Sequence, residues 1–224
     1  MIIFLASGNR HKQGEIAQIF KPNEILIPAD KGIEFDPLEN GTSFVENSLI
    51  KARALWEIVH EPVIADDSGI CVDLLDGAPG IYSARYAGIN DMKGEKAGAK
   101  LDAQERNRLL IEQTNSALAA YRKNKPDDTR SDSELRSCRF VCSMVLYLGS
   151  GRFYAVQETL EGRLVSSFEE ASGSGGFGYD PVVFLPSFGK TVAELSEEQK
   201  NAVSHRGKAG KKLAALLATA DTCF

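Results

Sequence analysis

The sequence predicts an α/β domain built on a mixed β-sheet, and two observations carry that prediction. In the first half of the chain, apolar runs of strand length alternate with segments of helical periodicity, as in sheets whose parallel strands are joined by helices. In the second half, two long apolar segments separated by Gly149-Ser150-Gly151 predict a hairpin. A chain of 224 residues can bury a full core without disulfides or a structural metal.

The elements of the first half follow from periodicity and from capping residues. Ser43 and Glu46 have the spacing of a capping box, which predicts that a helix begins there. The apolar run over 62–65 predicts a short buried strand that ends abruptly at Asp66-Asp67-Ser68-Gly69. In order, the predicted elements are a strand over 2–6, a helix over 9–20, a polar stretch over 28–42, a helix from 43 to about His60, the strand over 62–65, and a Gly- and Pro-rich loop over 74–88.

The second half contains a long helix, the hairpin and two capped helices. Ser196 and Gln199 have capping-box spacing before a short helix, and Ser204 is the expected cap of the last helix. In order, the predicted elements are a helix over 101–123, a solvated charge-rich loop over 124–137, hairpin strands over 138–149 and 152–160, a Gly/Ser loop over 172–178, a strand over 182–185 and a final helix over 205–219.

The charge balance excludes one class of partner. The chain has 26 Lys and Arg against 31 Asp and Glu, for a net charge of -5. A general DNA or RNA coat protein would carry a basic surface to neutralise phosphates. A small anion is a different matter, because a few cations placed in a cleft can outweigh a mildly negative surface.

The composition also indicates an intracellular, soluble protein. The first residues contain six apolar side chains and no basic segment before them, whereas a secretory signal needs both, and a membrane span needs about 20 apolar residues. The four cysteines include no C-x-x-C pair and only three histidines accompany them, so a zinc site is not expected.

Ser7-Gly8-Asn9-Arg10-His11-Lys12 lies between the first strand and the first helix. A helix N-terminus has unpaired N–H groups and a partial positive charge, so this segment can hold a phosphate, with Asn9 as the cap and Lys12 adding a full charge. Its spacing differs from the Walker A pattern. The alternative is an ordinary glycine turn with an asparagine cap and a solvated lysine.

Two adjacent carboxylates, Asp66 and Asp67, follow the buried strand over 62–65, at the strand end where open α/β sheets bind ligands. Because neighbouring side chains on a strand point in opposite directions, only one is expected to face a site. Carboxylates without clustered His or Cys favour Mg²⁺. The alternative is an aspartate turn closing a strand, but a turn rarely needs two carboxylates after a fully apolar run.

Lys51 and Glu39 lie close to the start of the second helix. Lys51 shares a helix face with Asn47, away from the apolar stripe. Position alone therefore predicts a solvated surface lysine, and Glu39, in the preceding loop, is equally unremarkable.

The segment Gly173-Ser174-Gly175-Gly176-Phe177-Gly178 contains the pattern G-x-G-x-x-G but leads into a strand pattern. A dinucleotide fingerprint follows a strand and opens a helix, so that interpretation is rejected. The glycines predict a sharp bend or close approach to a ligand, and Phe177 is a candidate for stacking on a base. The alternative is a flexible loop with Phe177 folded inward.

Lys200 and Ser204-His205-Arg206-Gly207 flank the expected start of the last helix. An arginine there opposes the helix dipole, so a ligand that accepts hydrogen bonds is the expected reason for Arg206. Hydrolase chemistry of the Ser-His-Asp type is disfavoured, because no G-x-S-x-G segment exists and Ser204 is too close to His205 in sequence.

Seven segments, taken in chain order, carry a resemblance that covers nearly the whole chain and is weakest between about 90 and 137. They are Ser-Gly-Asn-x-x-Lys (7–12), Ser-Phe-x-Glu-Asn-x-x-x-Lys-Ala (43–52), Ala-Asp-Asp-Ser-Gly (65–69), Gly-Ala-Pro-Gly-Ile-Tyr-Ser-Ala-Arg-Tyr-Ala-Gly (77–88), Gly-Gly-Phe-Gly-Tyr-Asp-Pro (175–181), Lys-Thr-x-Ala-Glu-Leu (190–195) and Ser-His-Arg-Gly (204–207). Together they resemble the noncanonical purine nucleoside triphosphate pyrophosphatases, the inosine triphosphatase or dITP/XTP pyrophosphatase family.

The resemblance implies a fold, a reaction and partners. The fold is an elongated mixed β-sheet with flanking helices, in which residues 1–224 form one domain with two lobes around a central cleft, usually as a homodimer. The reaction is hydrolysis of a nucleoside triphosphate to the monophosphate and pyrophosphate with Mg²⁺. The expected location is the cytoplasm, with neither a nucleic-acid polymer nor a membrane as partner.

The resemblance also implies residue roles. Asp67 matches the catalytic acid that activates water for attack on the α-phosphorus, and Glu39 and Asp67 match metal ligands. Ser7 stands where many members have Thr and keeps the hydroxyl. The positions that match substrate-binding residues are Ser7, Gly8, Asn9, Arg10, His11, Lys12, Lys51, Ser68, Phe177, Gly178, Tyr179, Asp180, Lys200, His205 and Arg206.

These roles agree with the chemistry of the residues. Lys12, Lys51, Lys200 and Arg206 are expected to converge in one cleft, where the three lysines spread over the triphosphate. Arg206 offers only donors, so it suits the 6-oxo group of hypoxanthine or xanthine and opposes the amino group of adenine. Rejection of guanine must depend on its 2-amino position, and the sequence does not indicate how.

Two other functions compete with this hypothesis. A Maf-like pyrophosphatase would act on pyrimidine or otherwise modified nucleotides, and the Ser-His-Arg-Gly segment beside the Gly-Gly-Phe-Gly-Tyr-Asp loop weighs against it. A nucleotide-binding sensor without catalysis would gain nothing from a water-activating acid, so Asp67 and the three lysines weigh against that function.

Overall fold

The computed structural model of the protein describes residues 1–92, 101–174 and 178–220. No helix in these residues is long and apolar enough to cross a membrane. The strands are β1 Ile2–Leu5, β2 Glu24–Leu26, β3 Val63–Val72, β4 Ser137–Gly149, β5 Arg152–Leu164, β6 Val183–Leu185 and β7 Lys190–Thr191. The α-helices are α1 Arg10–Ile19, α2 Phe44–Val59, α3 Ala103–Asn124, α4 Asp132–Leu135, α5 Glu197–Val203 and α6 His205–Ala220.

The strands form one mixed sheet in the order β2-β1-β3-β4-β5-β6-β7. β1 runs parallel to β2 and to β3, with Phe4 opposite Leu26 on one side and Val63 on the other. β6 runs antiparallel to both β5 and β7. The predicted α/β class with a mixed sheet and flanking helices is confirmed. Strands β2 and β7 were not predicted, because their three and two residues are too few to display a period.

The chain divides into two compact units. The first unit comprises Met1–Ser68, Cys142–Glu158 and Ala202–Phe224, and the second comprises Gly69–Val141 and Thr159–Asn201. Strands β3, β4 and β5 each contribute residues to both units.

The first unit has an apolar cluster on each face of its strands. Alternation along β1 sends Ile3 and Leu5 to one cluster and Phe4 to the other. The α1–α6 cluster also contains Ile16, Phe20, Ile64, Leu213 and Leu217, and the α2 cluster contains Ala52, Leu55, Val63 and Ala65. Helices α1 and α6 therefore cover one face of β3, and α2 covers the other.

Strand β3 is longer than predicted. The predicted strand over 62–65 ended at Asp66, but β3 continues to Val72, so Asp66 and Asp67 lie inside a strand and an aspartate turn is excluded. Ile70 and Val72 are fully buried beyond the polar residues. Asp66 and Asp67 interrupt the apolar pattern without ending the strand, because side chains from other elements pair with both carboxylates.

The helix caps of the first unit follow the sequence signals in most details. Ser43 accepts a hydrogen bond from the Glu46 N–H and caps α2, and Ser204 accepts one from the Gly207 N–H at the start of α6. The capping box at α2 is only half formed, because the Glu46 carboxylate binds the backbone N–H and the hydroxyl of Thr42 instead of the Ser43 N–H. Thr42 offers the Glu46 carboxylate two donors, its backbone N–H and its hydroxyl, whereas the Ser43 backbone would offer only one N–H.

In the second unit, α3 begins at a capping box formed by Asp102 and Glu105. The stretch over 124–137, predicted as a solvated loop, contains the short helix α4, which opens with a capping box formed by Ser131 and Glu134. Side chains of Arg122 and Asp132 pair at 2.7 Å and tie α4 to the end of α3. A single turn of helix is too short to give a periodic signal.

Candidate active site

Asp66 and Asp67 lie in the middle of β3 and meet different elements. Asp66 follows Ile64 in the alternation and contacts side chains of α1 and α6, while Asp67 follows Ala65 and contacts side chains of α2. The expectation that the two carboxylates face opposite sides therefore holds in the structure.

Asp66 accepts charged hydrogen bonds from two distant parts of the chain. Its two oxygens lie 2.9 and 3.0 Å from Lys12 Nζ, and one of them lies 3.2 Å from Arg206 Nε. Asp66 is 3% exposed. Burial by itself raises the pKa of a carboxyl, but the charges of Lys12 and Arg206 outweigh it and hold the pKa of Asp66 well below its usual value.

Asp67 has weaker support for its charge. Asn47 Nδ2 donates to Asp67 at 3.1 Å, and Lys51 Nζ lies 3.7 Å from the carboxylate. Burial raises the pKa of Asp67, Lys51 and Asn47 oppose that shift, and the neighbouring acids Glu39 and Asp66 add to it. A carboxylate that holds its proton more readily than usual is suited to accepting one from water.

Lys51 is an internal cation, which contradicts the prediction from position alone that it is a solvated surface lysine. Its side chain is 12% exposed and lies 3.1 Å from Glu39 Oε2 as well as close to Asp67. Asn47, one helical turn earlier on the same face of α2, is 1% exposed. Sequence position could not reveal this, because the loop that carries Glu39 folds over that helix face.

In the segment 7–12, residues 7–9 precede α1 and residues 10–12 form its first turn. Asn9 is the predicted cap, accepting from the N–H groups of His11 and Lys12, and Ser7 Oγ accepts from the Asn9 N–H. Gly8, Asn9 and His11 are exposed. Of the two cations here, Lys12 points to Asp66, whereas Arg10 pairs with Asp30 at 2.5 Å and with Gln13.

Arg206 occupies the first turn of α6 and is held by the protein. Besides Asp66, its guanidinium lies 3.4 Å from Glu15 Oε2 and 3.4 Å from Ser68 Oγ. Ser68 is two residues beyond Asp66 on β3, so both belong to the same face of the strand. Carboxylates of the protein thus account for an arginine at a helix N-terminus, where the sequence alone pointed to a ligand.

In the second unit, Tyr179, Asp180 and Lys200 form a connected group. Tyr179 Oη donates to the Ser83 carbonyl at 2.9 Å, and Lys200 Nζ pairs with Asp180 at 2.8 Å. Both Tyr179 and Asp180 are buried. Gly178 has a φ of 64° and its carbonyl accepts from Asn107 Nδ2. The predicted stacking residue Phe177 lies outside the described residues.

Several polar residues of the site were not among the predicted ones. They bind predicted residues from elsewhere in the fold. Among them, only Asn47 could have been found from the sequence, because it lies four residues before Lys51 and therefore on the same face of a helix. They are Glu15, Asp30, Asn47 and Asn107.

The residues predicted to bind Mg²⁺ fit a hard cation. Glu39 and Asp67 both direct oxygens at the Lys51 ammonium, so they already converge on a positive charge. Over the described part of the chain, no group of three or more His, Cys, Asp and Glu side chains is arranged to hold a metal. The protein would therefore supply two carboxylates, and Mg²⁺ commonly binds through one or two carboxylates together with waters and phosphate oxygens.

The arrangement in the first unit combines a carboxylate with a raised pKa, a second acid beside it and three cations. Such a set can neutralise phosphate charge and can accept a proton from a water molecule. A nucleophilic side chain is not required for hydrolysis of a phosphoanhydride. The site is therefore suited to hydrolysis of a phosphorylated substrate.

Comparison with known proteins agrees with this chemistry. The chain is 50% identical over 209 residues to a dITP/XTP pyrophosphatase of Treponema denticola, covering 93% of this chain and 94% of the relative. It is 39% identical over 223 residues to a protein of the same name from Exiguobacterium sibiricum, covering 98% of each chain.

Solved structures resemble the whole chain. A HAM1 protein from Coxiella burnetii superposes with a TM-score of 0.79 at 32% identity, covering 98% of this chain and 99% of the other. A nucleoside-triphosphatase / dITP/XTP pyrophosphatase from Mycobacterium abscessus superposes with a TM-score of 0.68 at 32% identity, covering 97% and 99%. The sequence model of the Ham1 family matches residues 3–216, and the chain therefore belongs to the Ham1 family.

Proposed function

We propose that this protein hydrolyses noncanonical purine nucleoside triphosphates, namely ITP, dITP and XTP, to the monophosphate and pyrophosphate. The observation that carries the proposal is the carboxylate pair inside β3, with Lys12 and Arg206 bound to Asp66 and Lys51 beside Asp67. Relatives that carry the name dITP/XTP pyrophosphatase support the choice of substrate.

Asp67 is the proposed general base. Its carboxylate accepts a proton from a water molecule as the water oxygen attacks the α-phosphorus. The bond from that phosphorus to the oxygen bridging to the β-phosphorus breaks, and pyrophosphate leaves with the bonding electrons. Asn47 Nδ2, 3.1 Å away, fixes the orientation of the Asp67 carboxylate.

The cations bind and orient the triphosphate. Lys12 and Lys51 offer ammonium groups on different faces of β3. The segment from Ser7 to His11, in which residues 8–11 are exposed, offers a helix N-terminus. Mg²⁺ held by Glu39 and Asp67 would add charge neutralisation to the phosphates. Lys200, Gly178, Tyr179 and Asp180 are proposed nucleotide-binding residues of the second unit.

Recognition of the base is proposed to involve Phe177, His205 and Arg206. All three guanidinium nitrogens of Arg206 have protein partners, at 3.2 Å to Asp66 and at 3.4 Å to Glu15 and Ser68. The two longer contacts are weak hydrogen bonds. These contacts use three of the five N–H donors of the guanidinium, so Arg206 can donate to a 6-oxo group without giving one of them up.

A substrate panel tests the proposed function. Pyrophosphate release with Mg²⁺ is measured for ITP, dITP, XTP, ATP, GTP and UTP. We expect kcat/KM for the first three to exceed that for ATP by at least about 10²-fold. The reason is that a site that donates a hydrogen bond to a 6-oxo group would face a second donor, the 6-amino group, when adenine binds. Equal turnover of ITP and ATP would contradict the proposed specificity, and preferred turnover of UTP would favour the Maf-like alternative.

We also propose that residues 1–224 act as one catalytic domain, that the protein is a cytoplasmic homodimer, and that its metal is Mg²⁺. Light scattering after gel filtration measures the mass in solution, and twice the 24.4 kDa of the chain is expected. Removal of divalent metal with a chelator should stop turnover, and added Mg²⁺ should restore it.

A further inference from the structure

Two helices of the first unit begin with a cation where helix electrostatics favours an acid. Lys12 lies in the first turn of α1 and Arg206 in the first turn of α6, and neither helix has an acidic residue in its first turn. The partial positive charge of a helix N-terminus repels such cations. Something outside both helices must therefore hold these side chains in place.

Asp66 is the group that holds them. It binds the Lys12 ammonium with both oxygens, at 2.9 and 3.0 Å, and the Arg206 guanidinium at 3.2 Å. These partners lie 54 and 140 residues away in sequence. Asp66 is buried inside β3, so its carboxylate has little freedom to follow a moving cation.

Asp66 and Asp67 differ in how much of their bonding capacity is taken up by cations. Both Asp66 oxygens receive charged hydrogen bonds, whereas Asp67 receives a hydrogen bond from the neutral Asn47 amide and lies 3.7 Å from a lysine. Arg206 also reaches Ser68, on the same face of β3 as Asp66. Asp66 thus connects two residues that the proposed function places at the nucleotide, Lys12 and Arg206.

We propose that Asp66 is a positioning residue, a fixed internal anion that orients the Lys12 side chain for the transition state of triphosphate hydrolysis and the Arg206 side chain for the base. This inference rests on the proposed function. Long cationic side chains have many rotamers, and a site in which they are already oriented loses less freedom when the reaction occurs. Asp66 acts through these cations and does not itself touch the reacting atoms.

The variant Asp66→Asn tests the inference because asparagine keeps the size of the side chain and removes its charge. We expect kcat for ITP to fall by about tenfold or more while KM changes by less than about threefold. Without Asp66, Lys12 and Lys51 still attract the triphosphate, but Lys12 loses its fixed orientation. Asp128→Asn is the control, since it removes an acid that pairs with the exposed Arg130 in the second unit, and its kcat should equal that of the wild type.

A double-mutant cycle separates positioning from direct catalysis. Asp66→Asn is introduced into the wild type and into Lys12→Gln. Because Asp66 acts partly through Lys12, the loss of kcat caused by Asp66→Asn should be at least about threefold smaller in the Lys12→Gln background. An equal loss in both backgrounds would overturn the inference, as would an unchanged kcat in the single variant.

Asp66→Glu covers the case in which Asp66→Asn does not fold. It keeps the charge but moves the carboxylate outward by one methylene, so kcat should fall with KM retained, and wild-type kinetics would overturn the inference. Wild-type turnover of ITP is measured beside every variant. If the wild type itself does not release pyrophosphate from ITP, the proposed function fails; if it does and the variants behave like it, only the role of Asp66 fails.

Discussion

At the scale of single residues, Asp66 and Asp67 show how position in a strand gives two identical side chains different chemistry. Asp66 contacts cations from α1 and α6, which hold its pKa below the usual value. Asp67 contacts α2, and burial raises its pKa despite the opposing charge of Lys51. A base must hold a proton during the reaction, so the second residue is the better candidate.

The variant Asp67→Asn should lose about 10²- to 10⁴-fold in kcat, because the amide cannot accept the proton from water. ITP should still bind, since Lys12, Lys51 and Arg206 remain. Pyrophosphate release gives kcat, and calorimetry with ITP gives the affinity of the variant. Asp132→Asn, which removes an exposed acid in the second unit, is the matched control. Retention of most of the activity in Asp67→Asn would remove Asp67 from the role of base.

At the scale of elements, β3 carries Asp66 and Asp67, and at Gly69 its backbone packs closely against the loop over 80–83. A Cβ at Gly69 would overlap the Gly80 carbonyl oxygen and the Ser83 hydroxyl. Ser83 Oγ accepts from the Ile70 N–H at 2.9 Å and so ties this loop to the strand. Glycine at position 69 lets the loop over 80–83 pack directly against the backbone of β3.

Gly69→Ala should therefore destabilise the protein by about 1–3 kcal/mol, the cost of forcing an extra methyl group into a packed site. Gly14→Ala is the matched control. Gly14 lies in α1 with open space around it, and alanine there should stabilise the helix by roughly 0.5–1 kcal/mol. Urea unfolding of both variants measures the free energies. Similar values for the two variants would show that the packing at Gly69 is not tight.

At the scale of the whole molecule, the core encloses two cysteine thiols. Cys138 and Cys142 are fully buried in β4, and burial raises the pKa of both thiols above the usual value. Cys71 in β3 is partly exposed. The thiolate is the reactive form, and a buried thiol with a raised pKa is inert until the structure opens.

Alkylation of the native protein with iodoacetamide at neutral pH should label Cys71 faster than Cys138 and Cys142, and denaturant should abolish that difference. Mass spectrometry of peptides after timed quenching measures each site separately. Fast labelling of Cys138 or Cys142 without denaturant would mean that the strand opens under native conditions.

Much of the fold could be predicted from the sequence because the signals are local. Ser43, Asn9 and Ser204 cap the helices that they were predicted to cap. The hairpin strands also appear, as β4 and β5, with the second ending at Leu164 beyond the predicted residue 160. The shortest elements were not predicted, because a few residues show no period. The predicted end of β3 was wrong, because a carboxylate after an apolar run is usually a sign that a strand ends.

The sequence by itself determined which residue types are available to the site: the strand and helix pattern, the cap at Asn9, the adjacent acids and the dispersed cations. Only the tertiary structure decided their pairing. It buried Lys51 against Glu39, placed Asp66 between Lys12 and Arg206, and left Asp67 with a neutral donor. The physical reason is that a local pattern records which face a side chain takes, whereas burial and charge pairing arise from residues brought together across 12 to 140 positions of the chain.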